Sequence, residues 1–303
     1  MLWWRIVWFV VFVILGGGPV MQVWSDTTPQ TRQLHVNGVE LSYLEQGTGV
    51  PVVFVHGAAS DLRYWESQRQ AVAQQYRFIA ANFRYHGTAP WPDEGQHYSV
   101  ATHAADLGAF LRQLTAEPVH LVAISYGGFP ATLVAWEHPD LVRSLSVLEP
   151  ALGAVLVDLP EAKPVRDEWG KAFAPIRTAA QAGEVRQAAT LLFDLVNNQG
   201  PGIFEQQPEA VRQITLDNAR TIPLLVSAPR PPAVSCAMLG QVKAPTLVVG
   251  GAQTAPYFAL INEVVVRCMP GSRLVSIPQA THPMSRQNPA AFNETLLQFL
   301  AQH

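Results

Sequence analysis

A serine, a glutamate and a histidine stand where this chain leaves three apolar runs: Ser125 after residues 119–124, Glu149 after 141–148, and His282 shortly after 273–277. Brought together, these residue types form a proton relay. A serine hydroxyl is a weak nucleophile until a base takes its proton, and an imidazole does this best when a carboxylate fixes its tautomer and stabilises the imidazolium. The chemistry would be attack on a carbonyl. Ser125 lies in Ala123-Ile124-Ser125-Tyr126-Gly127-Gly128, directly before the helical pattern of residues 129–136. Reversing the chain within about two residues forces the serine backbone into a sparsely populated conformation that small neighbours permit. Serine is also the commonest helix N-cap, so Ser125 alone leaves both readings open.

The elements that must position these residues follow from the apolar pattern. Residues 33–45 alternate around Asn37-Gly38, a favoured hairpin turn. The continuous apolar run 51–55 reads as a strand buried on both faces and 77–81 as the next buried strand, with further strands at 119–124, 141–148, 242–249 and 273–277. Helical spacing separates most of them: Val100, Ala104, Leu107, Leu111 and Leu114 form one stripe, with Asp106 and Arg112 off it, and Pro256 to Met269 and a last helix from Pro289 follow. Alternating strands and helices imply an α/β protein with a mostly parallel sheet. In such a sheet the carboxyl ends of the strands open on one crevice, where Ser125, Glu149 and His282 can meet. Residues 151–240 break the rhythm with irregular helical patterns and prolines at 201, 208, 223 and 229–232. They read as a helical insertion over the sheet. Its Leu, Phe, Ile and Pro, with few uncompensated charges, point to an apolar or neutral small-molecule substrate.

Composition narrows the classes further. A chain of 303 residues that is 49% apolar can bury a large core, and a net charge of -3 without any basic run argues against a nucleic-acid partner. Residues 1–21 carry one charge, Arg5, before an apolar run and Gly16-Gly17-Gly18-Pro19. This order matches a secretory signal peptide ending near Ser25, or an uncleaved membrane anchor. The expected location is therefore secreted, periplasmic or membrane-anchored, with membrane association only through residues 1–21. Cys236 and Cys268 could pair in an exported protein or remain buried thiols. No histidine pair has metal-ligand spacing and no glycine loop suits a phosphate, so neither a metal nor a cofactor is expected. His56 and His86 are expected to shape loops, the other histidines to be surface or core residues.

With these motifs in view, the chain from about residue 33 to 301 resembles the α/β-hydrolase fold family. His56-Gly57 resembles the family's oxyanion loop, residues 84–88 the loop after its fourth strand, residues 125–128 its nucleophile elbow, and residues 277–282 its catalytic-histidine loop. The resemblance implies a core of residues 33–150 and 241–303, a cap or lid at 151–240, and an oxyanion hole formed by the backbone N–H groups of Ala58 and Tyr126. Two departures stand out. Ala123 replaces the first elbow glycine, and the loop after the seventh strand holds Thr254 where the family most often has an aspartate. Glu149, 24 residues after Ser125, takes the place some members give the acid; its alternative role is to cap a helix or orient the insertion. A serine nucleophile, unlike an aspartate, points away from epoxide hydrolase and haloalkane dehalogenase chemistry. The expected function is a serine hydrolase of a carboxylic ester acting through an acyl-enzyme. The alternatives are a C–C bond, lactone or amide hydrolase with the same triad, and a ligand receptor on this fold with negligible turnover.

Overall fold

The computed structural model describes residues 29–303; the leader reading of residues 1–25 lies outside the described residues. Eight strands form one sheet: β1 (Gln30–Val36), β2 (Val39–Gln46), β3 (Pro51–Val55), β4 (Arg77–Ala81), β5 (Val119–Ile124), β6 (Val142–Leu148), β7 (Thr246–Gly251) and β8 (Arg273–Ile277). Their order is β1-β2-β4-β3-β5-β6-β7-β8. The first hairpin pairs antiparallel and β2 pairs antiparallel with β4, while every pairing from β4 to β8 is parallel. The hairpin turns at Asn37 and Gly38, both with positive φ, as the two-residue turn requires. The α/β-hydrolase fold class is the one the sequence implies.

The strand runs are continuous because both faces are covered. Val53, Val55, Leu121, Ala123, Leu145, Val147 and Val248 pack into one core. Their alternates Val52, Phe54, Val122, Ile124, Leu148, Leu247 and Val249 pack into the other. Helices α1 (Glu66–Ala73) and α11 (Pro289–Leu300) close the second face through Val72, Phe292, Leu296 and Phe299, while α2 (Val100–Leu114), α3 (Gly128–Glu137) and α9 (Pro256–Cys268) close the first. The short turn α10 (Met284–Gln287) precedes α11.

Between β6 and β7 lie α4 (Lys163–Gln181), α5 (Val185–Asn197), α6 (Glu209–Asp217), α7 (Ile222–Ser227) and α8 (Cys236–Leu239). Small residues on α4 and α5, including Ala179, Ala180, Ala188 and Ala189, pack there as a third apolar cluster with Leu192 and Ile222. The segment is fastened to the core by polar groups. Asn218 donates to buried Asp61 at 2.6 Å and accepts from Gly87 N at 2.7 Å, and Arg63 joins Asp61 to Asp217. Where the chain returns, Cys236 on α8 is disulfide-bonded to Cys268 at the end of α9, which decides between the two readings of the cysteines. Among the described residues no helix is long and apolar enough to cross a membrane.

Asp106, off the apolar stripe of α2, is buried, held by Arg84 at 2.5 and 2.8 Å and by Asn37 at 2.9 Å. A loop cation reaching over the helix makes that face polar and closed. Removing one partner leaves a buried guanidinium uncompensated, so Asp106→Ala should lower unfolding free energy by about 3–5 kcal/mol in urea denaturation. A loss below about 1 kcal/mol would show that the pair carries no such role.

Candidate active site

β5 is buried over all six residues and delivers Ser125 at its carboxyl end. Ser125 has φ +54°, the left-handed region that L-residues rarely enter, and α3 follows at once. Close packing enforces the turn. A Cβ on Gly127 would lie 2.3 Å from the His56 carbonyl oxygen, and one on Gly128 would lie 2.6 Å from Pro150 Cβ. Ala151 N donates to Ser125 O at 2.9 Å, so the serine turn and the residues after Glu149 hold each other. At position 123 only small size is needed, and Ala123 is fully buried in the core.

Glu149 ends β6, also with positive φ (+42°), and its side chain is completely buried. Its carboxylate accepts three hydrogen bonds: Oε1 from Gly251 N at 2.8 Å, and Oε2 from Thr254 Oγ1 at 2.8 Å and from His282 Nδ1 at 2.6 Å. A carboxylate only accepts, so Nδ1 of His282 carries the proton and Nε2 keeps its lone pair. Phe258 stacks on the imidazole with centroids 4.2 Å apart and planes at 23°. The histidine loop is clamped by Gln253 N to Ala280 O at 2.8 Å and by Thr281 N to Gln287 Oε1 at 2.6 Å.

Ser125 and His282 line one cavity of about 460 Å³ with Gly57, Ala58 and Ile124 from the core, and with Leu192 and Phe193 of α5 and Val211 and Ile214 of α6. Ser125 Oγ forms no hydrogen bond among the described residues, a looseness common before substrate binds. The backbone N–H of Ala58 is likewise without a backbone acceptor among the described residues. Gly57 brings the Ala58 loop close, since a Cβ there would sit 3.1 Å from Ser125 Cβ. The structure thus brings Ser125, Glu149, His282 and Ala58 to one crevice, with Tyr126 starting the turn after the serine. Sequence reasoning missed two contributors. Thr254 marked only the missing aspartate, yet its hydroxyl holds Glu149; Arg286, in an unremarkable Ser-Arg-Gln stretch, also lines the cavity.

Behind the serine turn lies a group of buried rings. His56 donates from Nδ1 to Gly57 O at 2.8 Å and accepts at Nε2 from Phe83 N at 3.2 Å, which ties the Ala58 loop to the loop after β4. His86 donates to Ser60 O at 2.8 Å, and His103 Nδ1 meets the Tyr126 hydroxyl at 2.7 Å. Burial pushes His56 down to about 4 and His103 to about 3, and holds His86 well below its ordinary value. Among the described residues no three His, Cys, Asp or Glu side chains converge as metal ligands would.

The comparisons agree with this architecture. The family profile described as alpha/beta hydrolase fold matches residues 50–181. The chain is 29% identical over 123 residues to a fluoroacetate dehalogenase from a Burkholderia species, covering 40% of each chain. It spans less than half the length of that protein and of two other curated relatives, at 43% and 48%. Over the whole fold it is similar to a solved structure described as Est816, an N-acyl homoserine lactone degrading enzyme, with 25% identity, TM-score 0.68, and coverage of 88% of this chain and 100% of that one. It is similar also to an esterase from Exiguobacterium antarcticum, with 20% identity, TM-score 0.73, and coverage of 88% and 97%. The chain has the α/β-hydrolase fold.

The buried histidines set an acid limit on stability. Below about pH 6.5 the unfolded chain takes up protons that native His56 and His103 refuse, so stability falls with pH by about 1.4 kcal/mol per unit and per histidine until about pH 4. Thermal midpoints measured from pH 7 to 4.5 should drop steeply, and His103→Gln should flatten the slope by one proton's worth. An unchanged slope in that variant would count against the assignment.

Proposed function

We propose that the protein is a serine hydrolase of a carboxylic ester, acting through an acyl-enzyme with Ser125, His282 and Glu149 as its triad. One observation carries the reading: a buried carboxylate 2.6 Å from His282 Nδ1 fixes that imidazole on the wall of a cavity it shares with a serine held at φ +54°. In the proposed reaction Ser125 Oγ attacks the ester carbon while His282 Nε2 takes its proton. The tetrahedral oxygen accepts from the Ala58 and Tyr126 N–H groups, a contribution of about 3–4 kcal/mol for each such donor. His282 returns the proton to the leaving alcohol, then takes one from water, which releases the acid and restores the serine. Glu149 orients the ring, and Gly251 N and Thr254 Oγ1 orient Glu149. The helices between β6 and β7 act as a cap whose apolar residues shape the substrate side. A lactone is a cyclic ester and would open by the same steps, a reading favoured by the likeness to the lactone-degrading enzyme. Export is part of the proposal: a disulfide persists in an oxidising compartment, in keeping with the leader-like start.

Fluorophosphonate labelling of the purified protein, with Ser125→Ala as control, is the direct test. Labelling and p-nitrophenyl ester turnover should both vanish in Ser125→Ala with the thermal midpoint retained. Absence of labelling in the native protein would favour a receptor. Separately, Glu149→Gln should lower kcat by about 10³- to 10⁴-fold, because an amide supports the wrong imidazole tautomer. A change of only a few-fold would remove Glu149 from the triad.

A further inference from the structure

Among the described residues the cavity is lined by one arginine, Arg286, and by no aspartate or glutamate. Elsewhere the partly buried arginines have partners, Arg84 holding Asp106, Arg77 holding Glu45, Arg63 holding Asp61 and Asp217, and Arg220 bonding the carbonyls of Gly87 and Ala89. The Arg286 guanidinium makes no ion pair or hydrogen bond among the described residues. Its one neighbour of note is the face of Tyr64, 5.3 Å from Cζ, a second cavity residue whose hydroxyl is pushed up to about 12 by burial and so stays neutral. Burial also lowers the arginine from its ordinary value, an effect that Tyr64 offsets only in part. Half-burying a guanidinium in an apolar cavity without a partner is unfavourable, and its planar fork of donors matches a carboxylate in two parallel hydrogen bonds.

Arg286 is also held in register with the proposed base. It lies four residues after His282 on α10, and Gln287 Oε1 accepts from both Thr281 N at 2.6 Å and Thr281 Oγ1 at 3.1 Å, closing the chain between them into one clamped turn. An anion bound there would share the cavity with the imidazole. We propose that Arg286 determines specificity by pairing with a carboxylate on the substrate, so that the preferred ester carries a free carboxylate on its chain, as in a half-ester of a dicarboxylic acid. This rests on the hydrolase reading and narrows its substrate class. It departs from the neutral substrate expected from residues 151–240, because the cation comes from the core segment after β8.

The test compares p-nitrophenyl hydrogen glutarate with methyl p-nitrophenyl glutarate, its neutral analogue, in native protein, Arg286→Met and Arg286→Lys. The ratio of kcat/KM for the anionic over the neutral ester should be at least about tenfold in the native protein, fall at least about tenfold in Arg286→Met, and be intermediate in Arg286→Lys. A native ratio near one, or a ratio unchanged in Arg286→Met, overturns the inference while neutral-ester turnover and fluorophosphonate labelling leave the hydrolase standing. Calorimetric titration with hexanoate and hexanamide decides the matter without turnover. Hexanoate should bind at least about tenfold tighter, and lose that advantage in Arg286→Met; equal binding of the two, or an advantage kept in that variant, overturns the inference even if neither ester is hydrolysed. Should Arg286→Met not fold, Arg286→Lys carries the same comparison.

Discussion

Everything at the crevice depends on a carboxylate that has been taken out of water. Burying such a group is costly unless its lone pairs are matched, and Glu149 meets that condition with three donors from two other segments. The match dictates where those segments run. β7 must end so that Gly251 N faces Oε1, its loop must return Thr254, and the chain after β8 must present an imidazole rather than an apolar side chain. Glycine makes the approach possible: a Cβ on Gly251 would fall 2.3 Å from Thr281 O. Fold and site are thus not separable here, since the hydrogen bonds that satisfy the acid tie the end of β6 to the end of β7, to the loop after it and to the loop after β8.

A second constraint lies between β5 and β6. Two successive parallel strands each end in a non-glycine residue with positive φ, Ser125 and Glu149, and such strain persists only where surrounding contacts over-determine it. The contacts are mutual. Gly128 admits Pro150, and Ser125 O accepts from Ala151 N, so neither turn can relax without displacing the other.

The sheet was largely legible because both of its faces are covered, which turns each central strand into an uninterrupted apolar run bounded by turn residues. Ser125, Glu149 and His282 were legible for a related reason: each follows such a run, and parallel strands collect their carboxyl ends. What escaped the sequence were pairings between distant segments. Asp106 reads as a polar position on α2 because periodicity describes one helix at a time, and nothing local announces that Arg84 will close over it. Arg286 reads as one more surface cation until α5 and α6 are seen to roof the cavity it faces. Thr254 was noticed for what it is not, an aspartate, and its bond to a carboxylate on another strand could not be read from its own neighbours. The cysteine pair was undecided for the same reason, the two lying 32 positions apart with a strand between them.

Phe258 stacks against one face of His282 while Glu149 holds its edge, which favours a single position of the ring during the proposed reaction. The same nitrogen, in the same place, must receive the proton from the serine and hand it to the departing oxygen. That oxygen can therefore leave on only one side of the tetrahedral carbon, with the acyl chain and the two N–H donors occupying the remaining directions. An imidazole held in this way gives the cavity a handedness: in the proposed reaction, mirror-image alcohols of a chiral ester would present their larger substituents to different walls. Stereochemical preference is then a property of a stacked phenylalanine as much as of the residues that touch the alcohol.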